Sequence, residues 1–181
     1  MNKKILHVSE LIGVFFCFAV SLFLLHFYRL SGGSTLGAVF GAVNGSVWER
    51  VKCAALPYML FGLLELFCAK PPFKSFVNSK ALGLLAVSVF GAAFNYFTAE
   101  TWLSSLLTLA AGFGASFVSL ISGARSEGFF ALSVFFIAFL FVSLFCFSAF
   151  PPRLGLFRDP ATGLYGVIPT YFDYGAVALQ S

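Results

Sequence analysis

Among the polar side chains of this 181-residue sequence, His26, Glu49 and Asp159 have the chemistry best suited to catalysis or ligand binding. His26 lies near the end of the first apolar run, and Glu49 opens the second. If the two run ends meet at one face of a membrane, imidazole and carboxylate form a pair able to handle a proton or hold a cation. Asn44 and Ser46 sit just before Glu49, while Arg158, Asp159 and Tyr165 belong to a C-terminal stretch able to fold back to the same place. The candidate binding set is therefore Asn44, Ser46, Glu49, His26, Arg158, Asp159 and Tyr165, with His26, Glu49 and Asp159 as its catalytic candidates.

Each of these residues also has a plainer role. Ser46 and Glu49 match an S-x-x-E capping box, in which hydroxyl and carboxylate each take a free N–H at a helix start. Lys52, three residues on, supplies Glu49 with a surface partner. A lone histidine at the end of a span is ordinarily an interfacial side chain. Glu65 follows Glu49 by sixteen residues, which is about 160° around a helix. The two carboxylates therefore do not form an acid–base pair, and the nearness of Lys70 predicts that Glu65 snorkels to the interface.

Other chemistries are missing. The four cysteines lie in or beside apolar runs without a C-x-x-C pair, as small buried hydrophobes do. Two histidines make no conventional histidine-rich zinc site, so neither metal nor cofactor is expected. No phosphate-binding loop, H-E-x-x-H or G-x-S-x-G motif occurs.

The elements that must position these residues follow from composition. Hydrophobic residues make up 60% of the chain and charged residues 10%, with 26 phenylalanines. Soluble domains carry about 25% charged residues. Seven acids and eleven bases cannot keep this much apolar surface in water. That excludes a soluble enzyme, a disordered chain and a nucleic-acid-binding domain, and it makes the lipid bilayer the first partner.

Crossing hydrocarbon takes about 20 apolar residues. Spans are predicted at about 8–30, 46–69, 81–98, 103–122 and 128–150. The fold class is all-α, an integral membrane bundle of five transmembrane helices occupying residues 1–150. The Gly-rich stretch 31–43 is too short to cross and reads as a re-entrant or interfacial segment. Pro57 predicts a kink in the second span. Ser88, Gly91 and Asn95 on the third span form a stripe for close helix packing, as do Ser105, Thr108, Gly112, Ser116, Ser119 and Gly123 on the fourth. Short turns are expected at Glu100 and at Gly123–Glu127.

Residues 151–181 form a non-helical tail. Asp159-Pro160-Ala161-Thr162-Gly163 is a turn signal, and the apolar and aromatic residues beyond it, including Tyr171 and Tyr174, predict folding over the bundle mouth. Lys3, Lys4, Lys70, Lys74, Lys80 and Arg125 fall on one side of this arrangement, and the lysine-rich loop after the second span places the N-terminus in the cytoplasm and the tail outside.

Asn44-Gly45-Ser46-Val47-Trp48-Glu49-Arg50-Val51-Lys52, opening a helix with Pro57, resembles the N-E-S-V-W-E-H-L-K signature of an uncharacterised family of small bacterial multi-span membrane proteins. The segment Asp159-Pro160-Ala161-Thr162-Gly163-Leu164-Tyr165-Gly166 resembles that family's closing D-P-x-T-G-x-Y-G, and His26-Phe27-Tyr28 with Ser31-Gly32 fits as well. Gly45 stands where the pattern has Glu, and Arg50 where it has His. The resemblance implies a multi-pass protein of the bacterial inner membrane.

The first functional expectation is a non-enzymatic protein that binds or passes a small solute or lipid near the outer ends of the first two spans. An intramembrane hydrolase or transferase acting on a lipid-linked substrate is the alternative, with His26 as base and Glu49 as orienting acid. An accessory subunit packed against a membrane protein partner is the third.

Overall fold

The computed structural model describes residues 3–98, 101–122 and 127–168. Six helices follow one another: α1 (Lys3–Leu30), α2 (Thr35–Phe40), α3 (Val47–Ala69), α4 (Phe73–Phe97), α5 (Thr101–Ser122) and α6 (Glu127–Ala149). All but α2 are long and apolar enough to cross a membrane, giving five candidate spans. No strand accompanies them among the described residues, only an isolated bridge between Arg158 and Tyr165. The all-α, five-span architecture expected from composition is the observed one. The Glu100 and Arg125 turns and the tail from Pro169 onward lie outside the described residues.

The helices form because each long apolar run satisfies its own backbone hydrogen bonds, the only economical state in hydrocarbon apart from a closed barrel. Their centre is a cluster of Cys17, Ala54, Tyr58, Leu84, Leu109, Phe113 and Leu144. In the most apolar window of α3 and of α4, 56% of residues are buried, against 17% in α6. Thus α3 and α4 build the interior, and α6 presents most of its surface to lipid.

The small-residue stripes are where α4 and α5 meet. A Cβ on Gly91 would come 3.0 Å from Thr108, and one on Gly112 would strike Val87 and come 3.2 Å from the Gly83 carbonyl. The Ser79 hydroxyl donates to the Ser116 carbonyl at 2.8 Å across the same contact. Asn95 has its partners too, donating to the Gly91 carbonyl and accepting from Ser104. Both stripes are packing seams.

One sequence boundary shifts. The third span begins at Phe73 rather than near residue 81, so Lys74 and Lys80 belong to helix and not to a loop. α3 continues through Pro57 as one helix, and the Cys17 thiol donates to the Pro57 carbonyl at 3.3 Å.

The stretch between α1 and α3 turns back on α1. Gly32 and Gly33 take left-handed φ values of 65° and 72°, which glycine adopts without a Cβ penalty. Ser34 caps α2 by accepting the Gly37 N–H at 3.0 Å. The Ala42 N–H then donates to the Leu24 carbonyl, and a Cβ on Gly41 would come 2.7 Å from the Tyr28 nitrogen. Leu24 lies six residues before the end of α1, so the segment dips about 9 Å along that helix before α3 begins.

Candidate functional site

Two buried polar clusters occupy opposite ends of the bundle, joined by an apolar groove. The first lies at the tail end, where α1 finishes and α3 starts. Ser46 is the N-cap of α3, its hydroxyl accepting the Glu49 N–H at 3.4 Å, as the capping box predicts. The Glu49 carboxylate reaches beyond Ser46 and accepts the Val43 N–H at 3.1 Å. The Ser46 N–H goes instead to the Asn44 side-chain oxygen at 2.9 Å.

Lys52 is fully buried and is no surface partner. Its ammonium lies 2.7 Å from Glu49 Oε2 and donates to Ser148 Oγ at 3.0 Å and to the Ala38 carbonyl at 3.4 Å. Ser148 Oγ is also 2.5 Å from Glu49 Oε1. The charges cancel, and the three ammonium donors have three acceptors. The cluster ties α2, α3 and α6 together and leaves no donor for a ligand.

The tail closes over this end. Asp159 accepts the Thr162 N–H at 3.1 Å and its hydroxyl at 2.6 Å on one oxygen, and the Gly45 N–H at 3.1 Å on the other. Asn44 Nδ2 donates to the Gly166 carbonyl at 2.8 Å. Phe157 packs on Trp48 and Phe147, with ring centroids 5.0 and 5.5 Å apart. Gly163 takes a φ of 72° at the turn, where the Arg158 side chain donates to its carbonyl at 3.2 Å.

Asn44, Ser46, Glu49 and Asp159 thus lie together at this end. The others do not join them: Arg158 and Tyr165 are exposed on the tail. His26 is exposed on α1, and no hydrogen bond or ion pair links it to Glu49 among the described residues. The expected imidazole–carboxylate pair does not form between them: Glu49 is buried and engaged by Lys52 and Ser148, while His26 is exposed.

The second cluster was not anticipated. At the end where α1 and α4 begin and α3 finishes, Lys80 Nζ lies 2.8 Å from Glu10 Oε1 and 2.5 Å from Glu65 Oε2. Ser9 donates to Glu65 Oε1 at 2.7 Å, and Ser116 to Glu10 Oε1 at 3.2 Å. All three charged residues are buried, so Glu65 does not snorkel; an ammonium on α4 meets it inside the bundle. The ammonium also sits over three aromatic rings, 5.4 Å from the centroids of Tyr58 and Phe76 and 5.2 Å from that of Phe113. Partners 55 and 15 residues apart on three helices leave no sequence pattern; the signal available was the presence of Glu10, Glu65 and Lys80 so close to apolar runs.

Between the clusters runs a groove of about 610 Å³ bounded by α1, α3, α4 and α6. Val20, Phe27, Leu63, Phe141 and Phe145 are typical of its lining, and Lys80 is the single charged residue on it. No group of three His, Cys, Asp or Glu suited to a metal ion occurs among the described residues.

A sequence model of a family of unknown function, DUF6512, matches residues 1–167. No curated protein and no solved structure matches the chain. The match covers nearly the whole sequence, and the chain belongs to that family.

Proposed function

We propose that this family member is a non-enzymatic membrane protein that binds a lipid, taking an acyl chain into the groove beside α3. The observation that carries this reading is the groove itself: about 610 Å³, apolar along its length and bounded by four of the candidate spans. Binding sites for small molecules are concave and mainly apolar, with few polar groups, and 300–1,000 Å³ is their usual size on the order-of-magnitude scale. An acyl chain fits this chemistry, since it needs apolar contact along its length and no hydrogen bonds. Lys80 is already engaged by two carboxylates, so the groove offers no free cation to an anionic head. The head group therefore stays at the interface while the chain enters.

This reading keeps the lipid expected from the sequence and moves its site from the tail-end polar residues to the groove. Asn44, Ser46, Glu49 and Asp159 act as the fastening that holds the tail and the segment between α1 and α3 against α3, because their polar atoms are spent on one another, on Lys52 and Ser148, and on the backbone of that segment and the tail. Hydrolase chemistry lacks support, since no hydrogen bond or ion pair joins His26 to a carboxylate among the described residues.

Gly62 offers a direct test. It lines the groove, and a Cβ there has the Lys80 stem as its nearest neighbour, at ordinary contact distances from 3.6 Å. Gly62→Phe should fill the groove while the helices stay folded. Native mass spectrometry of protein purified in mild detergent should then show a retained lipid on the wild type and its loss from the variant. Equal lipid retention by both proteins, with equal helical circular dichroism, contradicts the reading.

A further inference from the structure

The charge count in the second cluster does not close. Glu10, Glu65 and Lys80 are 4%, 4% and 7% exposed, and two carboxylates face one ammonium. The tail-end cluster, by contrast, pairs one carboxylate with one ammonium. A net charge held away from water costs several kcal/mol on the order-of-magnitude scale unless a counter-charge or a proton removes it.

No counter-charge is within reach among the described residues. α1 contributes Glu10, Ser9 and Cys17; α3 contributes Glu65 and Tyr58; α4 contributes Lys80 and Ser79; α5 contributes Ser116 and the Phe113 ring. The charges acting on Glu10 are those of Lys80 and Glu65. The three rings around the ammonium favour its charged form. Among the described residues the excess is therefore one negative charge, and it resides on a carboxylate.

The partners show which one. Glu65 accepts from Ser9 on Oε1, and its Oε2, although without a hydrogen bond, lies 2.5 Å from the Lys80 ammonium. Glu10 has both its donors, Lys80 and Ser116, on Oε1. Its Oε2 is buried with no hydrogen-bond partner. A bare carboxylate oxygen in that position is the atom on which a proton does most.

We infer that the Glu10–Lys80–Glu65 triad is a binding site for one exchangeable proton, carried on Glu10 Oε2 at neutral pH. Binding is simple addition: the carboxylate takes a proton from water, forms one O–H bond and becomes a neutral acid, leaving Glu65 and Lys80 as a balanced pair. Glu10 is the eighth residue of α1, so the site lies about two helical turns from the start of that helix. The inference is independent of what fills the groove.

Infrared spectroscopy of the full chain in detergent micelles separates a protonated carboxyl from a carboxylate by its carbonyl stretch. At neutral pH the wild type minus Glu10→Gln difference should contain one protonated-carboxyl band that shifts in deuterated water. The corresponding difference for Glu49→Gln should contain none. The wild type by itself supplies a second reading: the band should fade reversibly as pH is raised. Only carboxylate absorption at neutral pH, or a band that disappears with Glu65 or Glu49 instead of Glu10, overturns the inference. Lipid retention plays no part in this readout, so the groove reading and the proton site can fail separately.

Discussion

Lys52 and Lys80 are both buried lysines, yet they do different work. The three donors of Lys52 end on Glu49, Ser148 and Ala38, which makes a closed knot. Lys80 joins two carboxylates from different helices and also borders the groove. Removing its ammonium leaves the buried Glu65 carboxylate without its counter-charge, and breaking a buried pair from one side costs about 3–5 kcal/mol. Lys80→Met should lower the unfolding midpoint in detergent accordingly, and a midpoint equal to that of the wild type would show that the triad is not formed. Asn44→Ala removes two buried hydrogen bonds, one to the tail carbonyl of Gly166 and one from the Ser46 N–H, a change of about 2 kcal/mol. It should speed proteolysis of the tail while the helices stay protected, which limited digestion can read. At this scale the sequence was partly legible. The Ser46–Glu49 cap shows in local spacing because its partners are three residues apart. Glu10, Glu65 and Lys80 do not, because tertiary packing alone brings them together, and the same packing leaves His26 outside.

Among the elements, α4 and α5 approach most closely, and glycine makes that approach possible. A Cβ on Gly83 would strike the Tyr58 hydroxyl and come 2.7 Å from the Gly112 carbonyl, whereas one on Gly114 meets nothing within 4 Å. Overpacking a tight helix contact costs roughly 1–3 kcal/mol, sometimes more. Gly83→Leu should therefore destabilise the purified protein in thermal unfolding, and Gly114→Leu on the same pair of helices should leave it near the wild-type midpoint. Equal midpoints would place the seam elsewhere. The seam was legible because small residues recur at helical spacing on both spans. The start of α4 was not, since Lys74 and Lys80 interrupt the apolar run and read as a loop. A charged residue ends a span only if it reaches water, and Lys80 instead finds its partners inside.

For the whole molecule, the solvent decides the architecture. Val118, Phe135, Phe139 and many other large apolar side chains are exposed along the candidate spans, a surface that suits hydrocarbon and not water. The purified chain should require an amphiphile to stay dispersed; free solubility in plain buffer would contradict a bundle of five spanning helices. Composition and run length made the bundle legible before any contact was known, since 60% hydrophobic residues leave few other folds. The groove was illegible, because its lining comes from several helices brought together only by tertiary packing, and those residues look like those of any lipid-facing surface. An acyl chain in that groove is the claim on which the function rests. A structure determined in a lipid bilayer tests it most directly: elongated density should run between α1, α3 and α6 from the Phe27 end toward Lys80, whereas a groove closed by its own side chains, with Phe141 or Phe145 turned inward, would contradict it.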